Sequence, residues 1–271
     1  MILIANGCSH TAGAEIEAPL QGECYLKAWP SHLTKLLTFD HSKNLAISGA
    51  SDDRVSRTTI EYIGNLKLKS GYDPSKLFVV ISWPGFYRTE IFNLTENEGG
   101  FWDNGWMPMV SGNEETYKSQ CSKSAYMYYK TWMLRLNPTH EEIKFYCNVI
   151  LLQNFLISNK IKYLFWNACS NVPSNNKLFY NEVNHSRFPF VEQKEYSFTN
   201  ILHSHGFNHS KYAKFGHYGE DAQQWFANFL KSYITKNKLI YYVIIFLSPF
   251  YYSYTRTYDF HRTTCTLSLL F

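Results

Sequence analysis

MILIANGCSH, residues 1–10, is the stretch on which the fold turns. Residues 2–6, ILIAN, form a short apolar run closed by Gly7, too short for an independent helix and lacking the alternation of a strand with one wet face. Such a run reads as a strand buried on both faces, as in a parallel sheet. The turn that follows then lies at the carboxyl edge of the sheet, where open α/β folds form their clefts. That turn presents Ser9.

Working outward, the same signal recurs. KLFVVISW (76–83) is a continuous run of β-branched and aromatic residues and reads as a central strand, with KYLFWN (162–167) as another and NLAI (44–47) as a shorter one. Between them lie helical patterns. WPSHLTKLL (29–37) carries Pro30 early, where a helix tolerates it. Ser51 is placed to cap a helix with Asp52 and Asp53 in its first turn and Val55, Thr59, Ile60, Ile63 and Leu66 on one face. Thr139 and Glu142 form a T-x-x-E capping box ahead of Ile143, Tyr146, Ile150 and Leu151. Ala222, Trp225, Phe226, Phe229 and Leu230 give a last amphipathic helix. Strands alternating with helices predict an α/β protein, a three-layer α/β/α sandwich around a central parallel sheet.

A chain of 271 residues fits one sizeable domain. Its expected extent is 1–235, with an aromatic-rich insertion at about 85–138 where periodicity fades, including Phe101 to Trp106. An apolar tail of unknown role follows at 236–271. Within that tail, 239–254 is shorter than the roughly 20 residues a spanning helix needs and contains Pro249, so membrane contact there is the lesser reading. A net charge of +4 with scattered lysines argues against a nucleic-acid partner. Aromatic residues at 18 % exceed what a minimal core needs and fit aromatic-lined clefts. Six cysteines without a CxxC pair, behind an N-terminus without a secretory leader, read as reduced thiols in a cytoplasmic protein.

Chemistry enters through order along the chain. Gly7-Cys8-Ser9-His10 follows the first strand, Ser48-Gly49-Ala50-Ser51 the second, and Gly216-His217 precedes the last helix. With these blocks the chain resembles the SGNH/GDSL hydrolases, and ILIANGCSHTAG with NLAISGAS looks most like the SGNH-like proteins of bacteriophages and marine bacteria. The resemblance implies the flavodoxin-like SGNH fold, with Ser9 as nucleophile, His217 as general base, and the N–H groups of Ser9 and Gly49 as oxyanion donors. It also implies hydrolysis of a small acyl ester, an O-acetylated glycan among the substrates, without metal or cofactor, and in host cytoplasm if the source is viral. A serine hydroxyl is a weak nucleophile until a neighbouring base takes its proton, which is the role assigned to His217.

Three positions depart from that family's pattern. Cys8 stands where an aspartate usually precedes the serine. Ser82 to Glu90 offers no asparagine in the third block. Phe215 and Lys214 stand where an aspartate would orient the histidine, which leaves a Ser-His dyad unless Glu220 or Asp221 substitutes; both of these also suit a helix N-terminus electrostatically. His10, Trp83, Arg88 and Glu90 fall beside the expected cleft as substrate-lining residues, with Arg88 pairing Glu90 or gripping an anionic substrate. His203, His205 and His209 are alternative bases, and their loop lacks the carboxylate or cysteine that would complete a metal site. A second functional reading stays open: a catalytically silent protein of this fold that binds glycan or serves in phage assembly.

Overall fold

The computed structural model describes residues 1–16, 24–92, 105–169, 175–191, 193–211, 213 and 216–240. In chain order these form β1 (Ile2–Gly7), α1 (Ser9–Ala12), α2 (Cys24–Lys27), α3 (Trp29–Leu36), β2 (His41–Asn44), α4 (Asp52–Lys67), β3 (Leu77–Trp83), β4 (Arg88–Phe92) and β5 (Trp106–Val110). They continue with α5 (Glu114–Gln120), α6 (Lys123–Leu134), α7 (Pro138–Ser158), β6 (Lys162–Asn167), α8 (Lys177–Asn181), α9 (Phe198–Ser204) and α10 (Glu220–Lys236).

Four strands form one parallel sheet in the order β2-β1-β3-β6. Their side chains divide by the period of two that a strand imposes. Leu3, Ala5, Phe78, Val80, Leu164 and Trp166 pack on one face against residues of α3, α9 and α10. Ile4, Val79, Ile81, Tyr163 and Phe165 pack on the other against α4 and α7. The result is the expected three-layer α/β/α arrangement. From β1 the chain moves outward to β2, then returns across β1 to β3. The carboxyl ends of β1 and β3 therefore flank a switch in winding direction, the place where open α/β sheets leave a crevice.

Several boundaries differ from the sequence reading. The second strand is His41–Asn44 rather than 44–47. It is an edge strand bonded only to β1, and its half-exposed residues lack the apolar signature that marks the central strands. Helix α7 begins at Pro138, and its cap is Asn137, whose Oδ1 accepts from the N–H groups of Thr139 at 2.9 Å and His140 at 3.2 Å. Asparagine ahead of a first-turn proline outcompetes the Thr139 box, and Glu142 instead accepts from the Asn176 N–H at 2.8 Å. Ser51 caps α4 as expected, accepting from the Arg54 N–H.

The insertion is ordered in part. β4 and β5 pair as an antiparallel hairpin. Met107, Met109, Tyr117, Ala125 and Tyr129 of β5, α5 and α6 make a small core of their own. Residues 101–104 of the aromatic segment and most of the 239–254 stretch lie outside the described residues, while Leu239 and Ile240 pack into the main core. No helix among the described residues is long and apolar enough to cross a membrane.

Candidate active site

The turn after β1 is built by close approach. A Cβ on Gly7 would lie 2.5 Å from Thr11 Oγ1 and 2.7 Å from the Ser82 carbonyl, so only glycine lets the first turn of α1 sit against β3. Buried Asn6 braces the strand end. Its Oδ1 accepts from the Gly7 N–H at 2.8 Å, and its Nδ2 donates to Thr58 and Thr59 Oγ1 at 2.9 Å each and to the Val55 carbonyl. Cys8 caps α1 with its carbonyl, which accepts from Thr11 and Ala12. Ser9 thus opens α1 half-buried at the sheet edge.

His217 reaches the same place from the far end of the chain. Gly216 before it adopts φ +77°, and its bare Cα accommodates the His209 ring, which would lie 3.3 Å from a Cβ there. His217 is nearly buried, and its Nδ1 lies 2.6 Å from Glu15 Oε2. A carboxylate only accepts, so this bond puts the imidazole proton on Nδ1 and leaves the Nε2 lone pair free to act as a base. Glu15 holds φ +58°, a left-handed conformation that costs a non-glycine residue about 1 kcal/mol.

The carboxylate that bonds His217 is therefore Glu15, a partner the sequence reading missed. Glu220 pairs instead with Lys27 at 3.4 Å and lies 3.9 Å from His32, and Asp221 folds back over Gly219 at the start of α10. Both serve the helix terminus, and neither partners His217. Lys214 and Phe215 lie outside the described residues.

His10, expected beside the cleft, is buried. Its buried ring stands edge-on to His217 with centroids 4.9 Å apart and also packs on Phe198 and Tyr218. Burial lowers its pKa to about 4, with Cys8 opposing and His217 and Arg88 adding to the drop, so it backs His217 as a neutral ring. Buried Gln223 of α10 ties this assembly together, donating to the His10 carbonyl at 3.3 Å and accepting from the Trp29 N–H at 3.0 Å.

Gly49 lies in the turn after β2 with φ +76°, close to Pro108 and Val110 of β5. Among the described residues, neither the Gly49 N–H nor the Ser9 N–H has a hydrogen-bond acceptor, and Ser9 Oγ makes no hydrogen bond, to His217 or to any other group.

The remaining expectations separate. Trp83 is wholly buried between Phe145 and Phe165 and belongs to the core, as a central strand flanked on both faces requires. Arg88 does not pair with Glu90. Adjacent-but-one residues on β4 share a face, yet Arg88 turns inward, donating to the Ala50 carbonyl at 3.3 Å and to Cys169 Sγ at 3.8 Å. Glu90 forms a two-pronged pair with Arg57, 2.8 Å on each oxygen. Glu90 lines a cavity of about 750 Å³ with Asp53, Arg57, Trp106, Lys144 and Asn148, apart from Ser9 and His217. Of the alternative bases, His205 packs on Trp225 and bonds the Ile201 carbonyl, and His209 packs on Tyr218. Among the described residues no cluster of three or more metal-ligating side chains forms.

A family model described as a family of unknown function, DUF6071, matches residues 15–240, from Glu15 to the end of the described fold. A comparison with curated proteins returns no match. Similar solved structures include the crystal structure of TesA, 11 % identical over 88 % of this chain and 99 % of that one, with a TM-score of 0.44. They also include the psychrotrophic esterase EstA from Pseudoalteromonas sp., 12 % identical over 87 % and 97 %, at 0.43. The acetyl xylan esterase AlAXEase is 12 % identical over 86 % and 98 %, at 0.42.

Proposed function

The chain belongs to DUF6071, a family of unknown function, and from its site we propose a serine hydrolase of the SGNH type that cleaves a small acyl ester. The observation that carries this reading is the 2.6 Å contact between His217 Nδ1 and Glu15, beside the turn that bears Ser9. A carboxylate that fixes the tautomer of a histidine, which in turn activates a serine, is a recurrent arrangement for acyl transfer.

In this mechanism Ser9 Oγ attacks the ester carbonyl while His217 Nε2 takes its proton, and Glu15 steadies the imidazolium that forms. The uncommitted N–H groups of Ser9 and Gly49 receive the tetrahedral oxyanion. His217 then delivers its proton to the leaving alcohol, and water activated by the same nitrogen releases the acid. The sequence resemblance favours an O-acetylated glycan as substrate class, in keeping with the chain's aromatic content.

One observation favours a second reading. Ser9 Oγ makes no hydrogen bond to His217 among the described residues, which suits a silent glycan-binding protein. Hydrogen bonds between nucleophile and base are often loose without substrate, so the hydrolase reading stands first. A fluorophosphonate probe separates the two. Mass spectrometry of the treated protein is expected to place the adduct on Ser9 and to find none in Ser9→Ala. A folded wild-type chain that takes up no probe would leave the binder.

A further inference from the structure

Behind the Ser9 turn stand groups that ester hydrolysis does not use. Cys8 is fully buried with Ala50 and Ala168, and partly exposed Cys169 packs against the same cluster. These two thiols come from the ends of β1 and β6, 161 positions apart, and meet at the carboxyl edge of the sheet. Arg88 reaches them from β4, with Nη2 at 3.8 Å from Cys169 Sγ.

The arginine makes the pair chemically unusual. A guanidinium keeps its proton at any ordinary pH, and burying one without a counter-charge is costly. Among the described residues no carboxylate forms an ion pair with Arg88; its side chain bonds the Ala50 carbonyl and Cys169 Sγ and also reaches the Cys8 sulfur. Nearby Asp52 is a poor counter-ion at neutral pH, because burial and then neighbouring Asp53 raise its pKa to about 8. The thiols can supply the charge by ionising. The Cys8 thiol is pushed well below the ordinary cysteine value by the Cys169 thiol hydrogen-bonding toward it, with Arg88 adding to the effect against burial. Cys169 is pushed up by the same partnership, as the thiol that keeps the shared proton. A thiolate beside a second thiol is the arrangement that reacts with mild oxidants.

We propose that Cys8 and Cys169 form an oxidation site, closing to a disulfide with hydrogen peroxide and thereby displacing the turn that carries Ser9. In the first step one sulfur of the pair attacks a peroxide oxygen; the S–O bond forms, the O–O bond breaks, and hydroxide leaves with a proton as water. The partner sulfur then attacks that sulfenic sulfur; the S–S bond forms, the S–O bond breaks, and a second water leaves. Two thiols give up two electrons and two protons, and one peroxide becomes two waters. Cys8 is the cap of α1 and the neighbour of Ser9, so drawing its sulfur toward Cys169 disturbs the nucleophile directly. The disulfide does not depend on Ser9 being a nucleophile; its effect on activity rests on the proposed function.

The test treats the full chain with hydrogen peroxide, blocks remaining thiols after denaturation, and maps peptides without reduction. A Cys8–Cys169 cross-linked peptide is expected, released by dithiothreitol and absent from Cys169→Ser and Cys8→Ser. Finding both cysteines blocked after oxidation overturns the proposal. Hydrolysis of p-nitrophenyl acetate is expected to fall at least about tenfold on oxidation of the wild type and to survive in Cys169→Ser. Cross-linking without loss of rate overturns the control of Ser9. A chain that never hydrolyses the ester yet still cross-links refutes the proposed function and leaves the oxidation site standing.

Discussion

The molecule has two polar regions near the carboxyl edge of its sheet, and they differ in how their groups are committed. One, a cavity of about 750 Å³ beside α4 and α7, is a closed circuit: Arg57 holds Glu90, Lys144 lies 3.6 Å from Asp53 and 3.0 Å from Glu141, and Asn148 donates to Asp53 at 2.9 Å. The region around Ser9 is less committed. There one strong bond, Glu15 to His217, orients a group whose other nitrogen is left uncommitted, next to a hydroxyl and two N–H groups without partners among the described residues. Satisfied charge pairs hold elements together, whereas catalysis needs donors and acceptors waiting for a substrate.

If the contrast holds, breaking the closed circuit damages the fold and spares the site. Arg57→Ala leaves Glu90, whose side chain is only 4 % exposed, without its partner, and is expected to destabilise the protein by about 3 kcal/mol in denaturant unfolding. Ester hydrolysis by the folded fraction should stay near the wild-type rate. A large loss of rate without loss of stability would move the functional centre to the cavity that Glu90 lines.

A smaller effect sharpens the border between the regions, at Asp52. Its pKa, raised to about 8, means that the folded state holds a proton the unfolded chain has lost, so stability falls as pH rises toward 8. His10, lowered to about 4, acts in the opposite sense between its ordinary value of 6.5 and 4, where the unfolded chain binds the extra proton. The two offset in that window, and the Asp52 decline emerges above it. Melting temperatures are expected to drop from pH 6.5 to 8 in the wild type and to flatten in Asp52→Asn; an unchanged slope in the variant would refute the assignment.

What was legible in the sequence was local. The run ILIANG, the strands at 77–83 and 162–167 and the last helix announce themselves through apolar pattern and caps, because burial on both faces leaves a mark in every residue. The second strand was misplaced by three residues, since an edge strand with polar side chains carries no such mark. The placement of Ser9 after β1, of Gly49 after β2 and of His217 ahead of α10 was readable from local pattern, whereas their roles rest on the proposed function. Glu15 was not readable: it sits 202 positions from its partner, past a four-residue helix that turns the chain back, and no spacing rule links the two. The turning inward of Arg88 and the meeting of Cys8 with Cys169 escaped for the same reason, being products of strand order.

In the proposed mechanism Glu15 holds His217 as the base for Ser9. The most direct measurement is the rate at which a fluorophosphonate modifies Ser9 in Glu15→Gln, set against Glu220→Gln. Loss of the carboxylate that fixes the tautomer is expected to slow modification by about 10²–10⁴-fold, while Glu220→Gln, which gives up only a pair with Lys27, reacts like the wild type. Equal rates in Glu15→Gln and wild type, or a loss confined to Glu220→Gln, would contradict the account.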